Sequence, residues 1–418
     1  MTVGQSRSDL PGVRLEHNLR LIAHSTLDGA PNVGEGMAMK VTGEGRRLLY
    51  VANENPPIAM SILDVTEPSE PELLAQFPCE HDSVRGNSLA MSGDILLLAK
   101  QVTTPGMTPA GFDLFDVATP DQPVKIGFFD ASGPHSVGTH FVSTFDGRFA
   151  HVSTGANDFE PKDPRDHQFY MIVDISEPAS PIEVGRWWLP GQRRGDDAEL
   201  VRHEHIDFAF RVHHTLSYPE RPDRAYLGYI DGGVVILDIS DPTQPSQVAR
   251  LDYHPPFPGF THTVVPLFER GLLLIADEAT TVSDGADWPK RYWLADVRDE
   301  TNPVLISSLP VPEDFDELHA EGGRIGAHNV HENDPEPGSA VLRNTSVTTW
   351  FSAGLRIYDI RDPFTPKEIA AFLPETPPGQ RACRISDVFV DDRGIVYAGD
   401  RANGGLYFLE YTGDQPLD

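Results

Sequence analysis

One short pattern recurs along the chain and restricts its possible folds more than any other feature. The cleanest copy is Val234-Val-Ile-Leu-Asp238-Ile-Ser-Asp-Pro242-Thr-Gln-Pro245, which runs on to Leu251. It reads as an apolar strand ending in Asp, a proline-bearing turn and a second strand. Further copies centre on Asp64, Asp116, Asp174, Asp296 and Asp359, and a degraded one on Glu410. In the six full copies a second proline follows the Asp by seven residues, at Pro71, Pro123, Pro181, Pro245, Pro303 and Pro366. Asp can bond the backbone amides that follow it, and Pro presets the turn's backbone angle.

Successive Asp positions lie about fifty to sixty-five residues apart, a period that short strands fill as propeller blades. Two more apolar stretches precede each hairpin, as in Ser88-Leu-Ala-Met and Ile95-Leu-Leu-Leu-Ala-Lys100, so the hairpin supplies strands C and D after A and B. The expected fold is all-β, a seven-bladed β-propeller, with 1–418 as a single domain. Blades are placed at 34–78, 84–130, 138–188, 211–252, 260–310, 325–373 and 385–411. Residues 1 to 17 read as a loose lead-in. The stretch 19–27 resembles a D strand without an A, B or C, and the chain ends on a C strand without a D. Pairing these two would close the last blade and leave no open edge.

The chain has 63 acidic and 33 basic side chains, a formal net charge of −30. That charge argues against binding nucleic acid or an anionic membrane. Two cysteines, Cys79 and Cys383, are too few for a disulfide framework and favour a reducing compartment. The first residues hold no apolar leader, and no stretch reaches the length of a membrane span, so a cytoplasmic location is expected. Among the connections, 157–166 and 191–205 are long and polar, the kind of loop that often covers or binds.

Strand A of each blade lines a propeller's channel. Aligned on their downstream B strands, the A strands place His140, His214, His262 and His328 at one level in blades three to six. Blade seven offers Asp387 in that column, blade two Asn87 and blade one Gly36. Any one such histidine reads as a satisfied channel residue, but four in register read as metal ligands, because neutral imidazole suits iron, copper, zinc, manganese and nickel. Asp387 would be a fifth ligand or an outer acceptor, and Glu35 and Glu204 are candidates to orient the imidazoles. In blade four, His213 competes with His214 for the column.

Arg85, Arg211, Arg324 and Arg384 precede the column by a few residues. With Asn87 they are candidates to hold a carboxylate-bearing substrate, or else they pair with local acids. His205, His213 and His331 are candidates for proton transfer beside the metal.

The repeated Leu/Ile-Asp-Ile/Val-Ser-Asp-Pro-x-x-Pro pattern resembles the LVIVD-repeat family of β-propellers over residues 34 to 411. The resemblance implies the fold rather than a reaction. The histidine column is more remotely similar to the carotenoid-cleavage oxygenases, which hold iron on four histidines, and to the selenium-binding, methanethiol-oxidase-like propellers, which are linked to copper. By that likeness only His140, His214, His262 and His328 would carry over.

The combined expectation is a metal-dependent enzyme with one divalent transition metal: iron first, with copper, manganese or zinc as alternatives. It would be an oxidase or oxygenase acting on a small organic molecule, carboxylate-bearing ones included. A metal-dependent lyase, hydrolase or isomerase is the first rival, and a non-catalytic interaction scaffold the second. A small-molecule substrate is the expected partner, and the oligomeric state is not set by the sequence.

Overall fold

A computed structural model describes residues 10–203, 208–280 and 290–418. Among these residues the strands form seven four-stranded antiparallel sheets, the arrangement of an all-β, seven-bladed propeller. The fourth sheet is representative: Thr215–Tyr218, Arg221–Tyr229, Gly233–Asp238 and Ser246–Leu251 follow one another in space as in sequence.

The hairpin chemistry is repeated with little variation. In all six full copies the strand-ending Asp accepts through Oδ1 from the amide two residues on, at 2.8 to 3.0 Å. A second turn bond then closes each hairpin, such as Gln244 N–H to the Asp241 carbonyl at 3.0 Å.

Leu19–Ser25 pairs with Gly405–Tyr411, so the N-terminal strand completes the last sheet as expected. The lead-in is not loose throughout. Val13–His17 pairs with Lys367–Pro374, because alternating Val13 and Leu15 give it an apolar face for that sheet's outer edge. In the same sheet the expected first strand around His328 is reduced to two isolated bridges, Ile325 to Phe351 and Val330 to Thr348. The proline-interrupted segment that follows carries the chain away before a ladder can form.

The chain divides into two compact units, 1–78 with 278–294 and 306–418, and 79–277 with 295–305. In the first, Leu19, Leu21, Val347, Ile357, Phe372, Val388 and Leu409 belong to one buried apolar cluster. In the second, Tyr170, Ile172, Leu227, Val235 and Leu237 form another. Neighbouring sheets of the second unit also meet through backbone. A Cβ added at Gly127 would lie 1.8 Å from the Pro178 carbonyl oxygen, and one at Gly185 would lie 2.0 Å from that of Pro242. The motif's proline carbonyl is thus what the preceding blade's outer strand packs on. Among the described residues no helix is long and apolar enough to cross a membrane.

Candidate metal centre

In the second unit, backbone pairing carries four imidazoles to one place. His140 N–H donates to the Ser153 carbonyl at 2.9 Å, directly before the strand Phe141–Ser143. His213 N–H donates to the Gly228 carbonyl at 2.7 Å and His214 N–H to the His262 carbonyl at 3.3 Å. Gly228 allows that approach, since a Cβ there would sit 2.0 Å from the His262 carbonyl oxygen. Phe260, just ahead of His262, has φ 65, a left-handed backbone that an aromatic residue adopts only under constraint.

The rings are in contact. His140 Nε2 lies 2.9 Å from His213 Nε2, and His213 Nδ1 lies 2.9 Å from His214 Nδ1. The His262 ring centroid is 3.9 Å from that of His213 and 4.3 Å from that of His214. One ligand atom each of His213, His214 and His262 falls within 4.8 Å of the others. His214 and His262 are fully enclosed, while His140 and His213 keep 7% and 5% exposure, which marks the solvent-facing end. Phe141 lies against His214 at 3.8 Å and Phe260 against His213 at 5.9 Å.

Partner chemistry fixes the protons. Gln101 Oε1 accepts from Arg85 Nε at 3.0 Å and from its Nη2, which orients the amide. The same oxygen lies 3.1 Å from His140 Nδ1, so that nitrogen carries the hydrogen. His140 Nε2 is then an acceptor and His213 Nε2 donates to it. His213 Nδ1 is left as the basic nitrogen, facing His214. Two imidazole nitrogens at this separation share either a proton or a cation, and cis ligands at about 2.1 Å from an ion are roughly 3.0 Å apart. The set of donors therefore fits an imidazole-bound transition metal. His262 Nδ1 contacts Thr263 Oγ1 at 2.6 Å, which turns Nε2 towards ligation.

In the first unit His328 is wholly buried, with Nδ1 2.5 Å from the Ser386 carbonyl and Nε2 3.4 and 3.5 Å from Glu35 and Glu278 Oε1. Burial holds its pKa below the ordinary value, and the Arg401 charge adds to that. Arg401 donates to Glu35 at 2.6 Å, and Arg324 pairs with Glu278. Phe351 (φ 49) lies beneath Arg324, whose Cζ is 4.0 Å from the ring centroid. Asp387 is buried and accepts from Asn329 Nδ2 at 3.0 Å. Burial, with the Glu332 charge, drives its pKa well up.

The arginines expected to face a substrate are engaged within the protein. Arg85 orients Gln101, Arg324 holds Glu278, and Arg211 donates to His167 Nε2 at 2.9 Å. Arg384 contributes its backbone, N–H to Asp400 Oδ2 at 2.7 Å. Asn87 donates to the His140 carbonyl at 3.0 Å. His331 is not placed for proton transfer: Nε2 meets the Ala340 carbonyl at 2.8 Å, and Nδ1 accepts from Val390 N–H at 3.2 Å. Glu204 and His205 lie outside the described residues. His213 does not compete with His214, since both rings join the set.

Gln101, Glu278, Arg401 and His167 were not singled out from the sequence. The first three occupy one register at the end of strand B: the last residue but one in blade two, and the residue directly after the strand in blades five and seven. Reading that position down the blades, beside the A-strand column, would have found them. His167 carries no such signal. Its pKa is held down at about 3 by burial, then by Arg211 and His140.

Fold and site together define a β-propeller with a buried imidazole set suited to a metal. The sequence profile of the LVIVD repeat matches residues 168–188 and 223–252, so the chain carries LVIVD repeats. Among solved structures it is similar to the periplasmic gluconolactonase of Pseudomonas aeruginosa, with 11% identity, TM-score 0.57, and coverage of 89% of this chain and 95% of that one. It is also similar to the β-propeller domain of Cps50 from Myceliophteria thermophila, with 13% identity, TM-score 0.53, and coverage of 96% and 99%. These likenesses concern the fold. No curated protein matches the sequence.

Proposed function

We propose that the protein is a metal-dependent enzyme whose metal is held by His213, His214 and His262, with His140 holding the proton of His213 Nε2. The observation that carries this reading is the convergence of three buried imidazoles within 4.8 Å. When bound, a metal on neutral nitrogen donors with open positions supplies Lewis acidity and, for iron or copper, activation of oxygen. Oxidation of a small organic molecule is the favoured reaction. Neutral imidazole donors support it, and the flanking Phe141 and Phe260 help keep water from them. The Gln101–His140–His213 chain would accept or return a proton at the solvent-facing end.

The second reading is metal-dependent hydrolysis, raised by the gluconolactonase that shares the fold. Elemental analysis of tag-free protein beside His213→Ala and His262→Ala separates them. Iron or copper that both variants lose, together with oxygen consumption, supports oxidation. Zinc or manganese with oxygen-independent turnover supports hydrolysis. Unchanged metal content in the variants would exclude this centre and leave the scaffold reading. A cytoplasmic location completes the proposal, and cell fractionation tests it.

A further inference from the structure

The loop 191–205, long and polar in sequence, walls a cavity of about 640 Å³ in the second unit, a size that suits a small organic molecule. The loop is held in shape from within. Asp196 Oδ2 accepts from Gly191 N–H at 2.9 Å, and from Arg193 N–H and Trp188 Nε1 at 3.2 Å. The other long loop, 157–166, is bound to it: Lys162 N–H donates to the Gln192 carbonyl and Arg194 N–H to the Glu160 carbonyl, each at 2.8 Å. Apolar side chains line much of the cavity. Leu189 and Phe210 are each 4% exposed, and their N–H groups are tied to Tyr229 Oη at 3.0 Å and Asp166 Oδ1 at 2.8 Å. Leu200 packs against the same buried cluster, while Val201, 76% exposed, belongs to the rim.

We propose that this cavity binds a small monocarboxylate with an apolar body, its carboxylate held by Arg250. Arg250 lines the cavity, and its Nε donates to the Gly232 carbonyl and its Nη2 to Asp252 Oδ2, both at 2.7 Å. The guanidinium is therefore set in place before a ligand arrives. Nη1 makes no bond among the described residues and offers its two hydrogens to a ligand oxygen. The two carboxylates of the lining already have cations, Asp252 in Arg250 and Glu199 in Lys162 Nζ at 2.8 Å. Arg250 is the single arginine or lysine among the described residues that line the cavity, which suits one ligand carboxylate and not two. None of these residues belongs to the imidazole set, so this binding needs no metal.

The test is isothermal titration calorimetry of octanoate into the full chain. One equivalent is expected to bind, and Arg250→Gln should weaken that binding about tenfold or more. Leu200→Trp guards against misfolding of the first variant. It leaves Arg250 in place and fills the cavity, and should abolish binding with circular dichroism unchanged. The proposal is overturned if octanoate shows no saturable binding to the wild type, or if either variant, folded by circular dichroism, binds it as tightly as the wild type. It is equally overturned if a chelator or His213→Ala removes octanoate binding, since the carboxylate would then sit on the metal. Arg250→Gln should keep the wild-type metal content, so the two readings fail separately.

Discussion

Gln101 touches no substrate position, yet it decides which nitrogen of His140 carries a hydrogen and, through that ring, which nitrogen of His213 is basic. Gln101→Leu should lower metal affinity about tenfold to a hundredfold, while Gln101→Glu, which keeps the acceptor, should retain it; competition with a chelator measures both. The column of histidines was legible because pore-facing positions recur in register. The proton order was not, since it depends on contacts between residues 39 and 73 positions apart. Other buried histidines respond to pH. Burial lowers the pKa of His151 and of His331 to about 4, so the unfolded chain binds their protons more readily below the ordinary value of 6.5. The stability they contribute is complete above pH 6.5 and is lost as pH falls towards 4. Urea unfolding between pH 7 and 4 should show that decline, and His151→Gln should flatten part of it.

At the level of strands and turns, sequence and structure agree closely because the determining chemistry is local. An Asp and the amide two residues on meet whatever else the chain does, so six copies of the motif give six copies of one turn. Asp238→Ala should lose about 1 kcal/mol in chemical denaturation. What the motif could not reveal is its second use, as the surface on which the preceding blade rests. Gly185→Ala brings a Cβ onto the Pro242 carbonyl and should destabilise by about 1 to 3 kcal/mol, more than the same change at an open turn such as Gly43. Val13–His17 was missed for a related reason. Five residues with two apolar positions are too short a pattern to read alone, and they become a strand only against the edge of Lys367–Pro374.

For the whole molecule, charge and metal are the two controls on stability. A net charge of −30 makes the folded chain repel itself, so added salt should raise the melting temperature, by about one degree for each kcal/mol of repulsion relieved in a chain of this length. Metal that binds only the native state adds about 2.7 kcal/mol at a hundredfold excess over its dissociation constant. Calorimetry with and without a chelator should therefore show a drop in melting temperature that His213→Ala already suffers. By itself the sequence determined the all-β class, the seven repeats, the pairing of Leu19–Ser25 with the last sheet and the histidine column, since periodicity and turn chemistry are local properties. Only the tertiary structure decided that His213 joins His214, that Arg85 and Arg324 serve Gln101 and Glu278, and that His328 faces two carboxylates. Those partners are set by which strand ends converge, and side-chain direction at a strand end depends on the neighbouring blade.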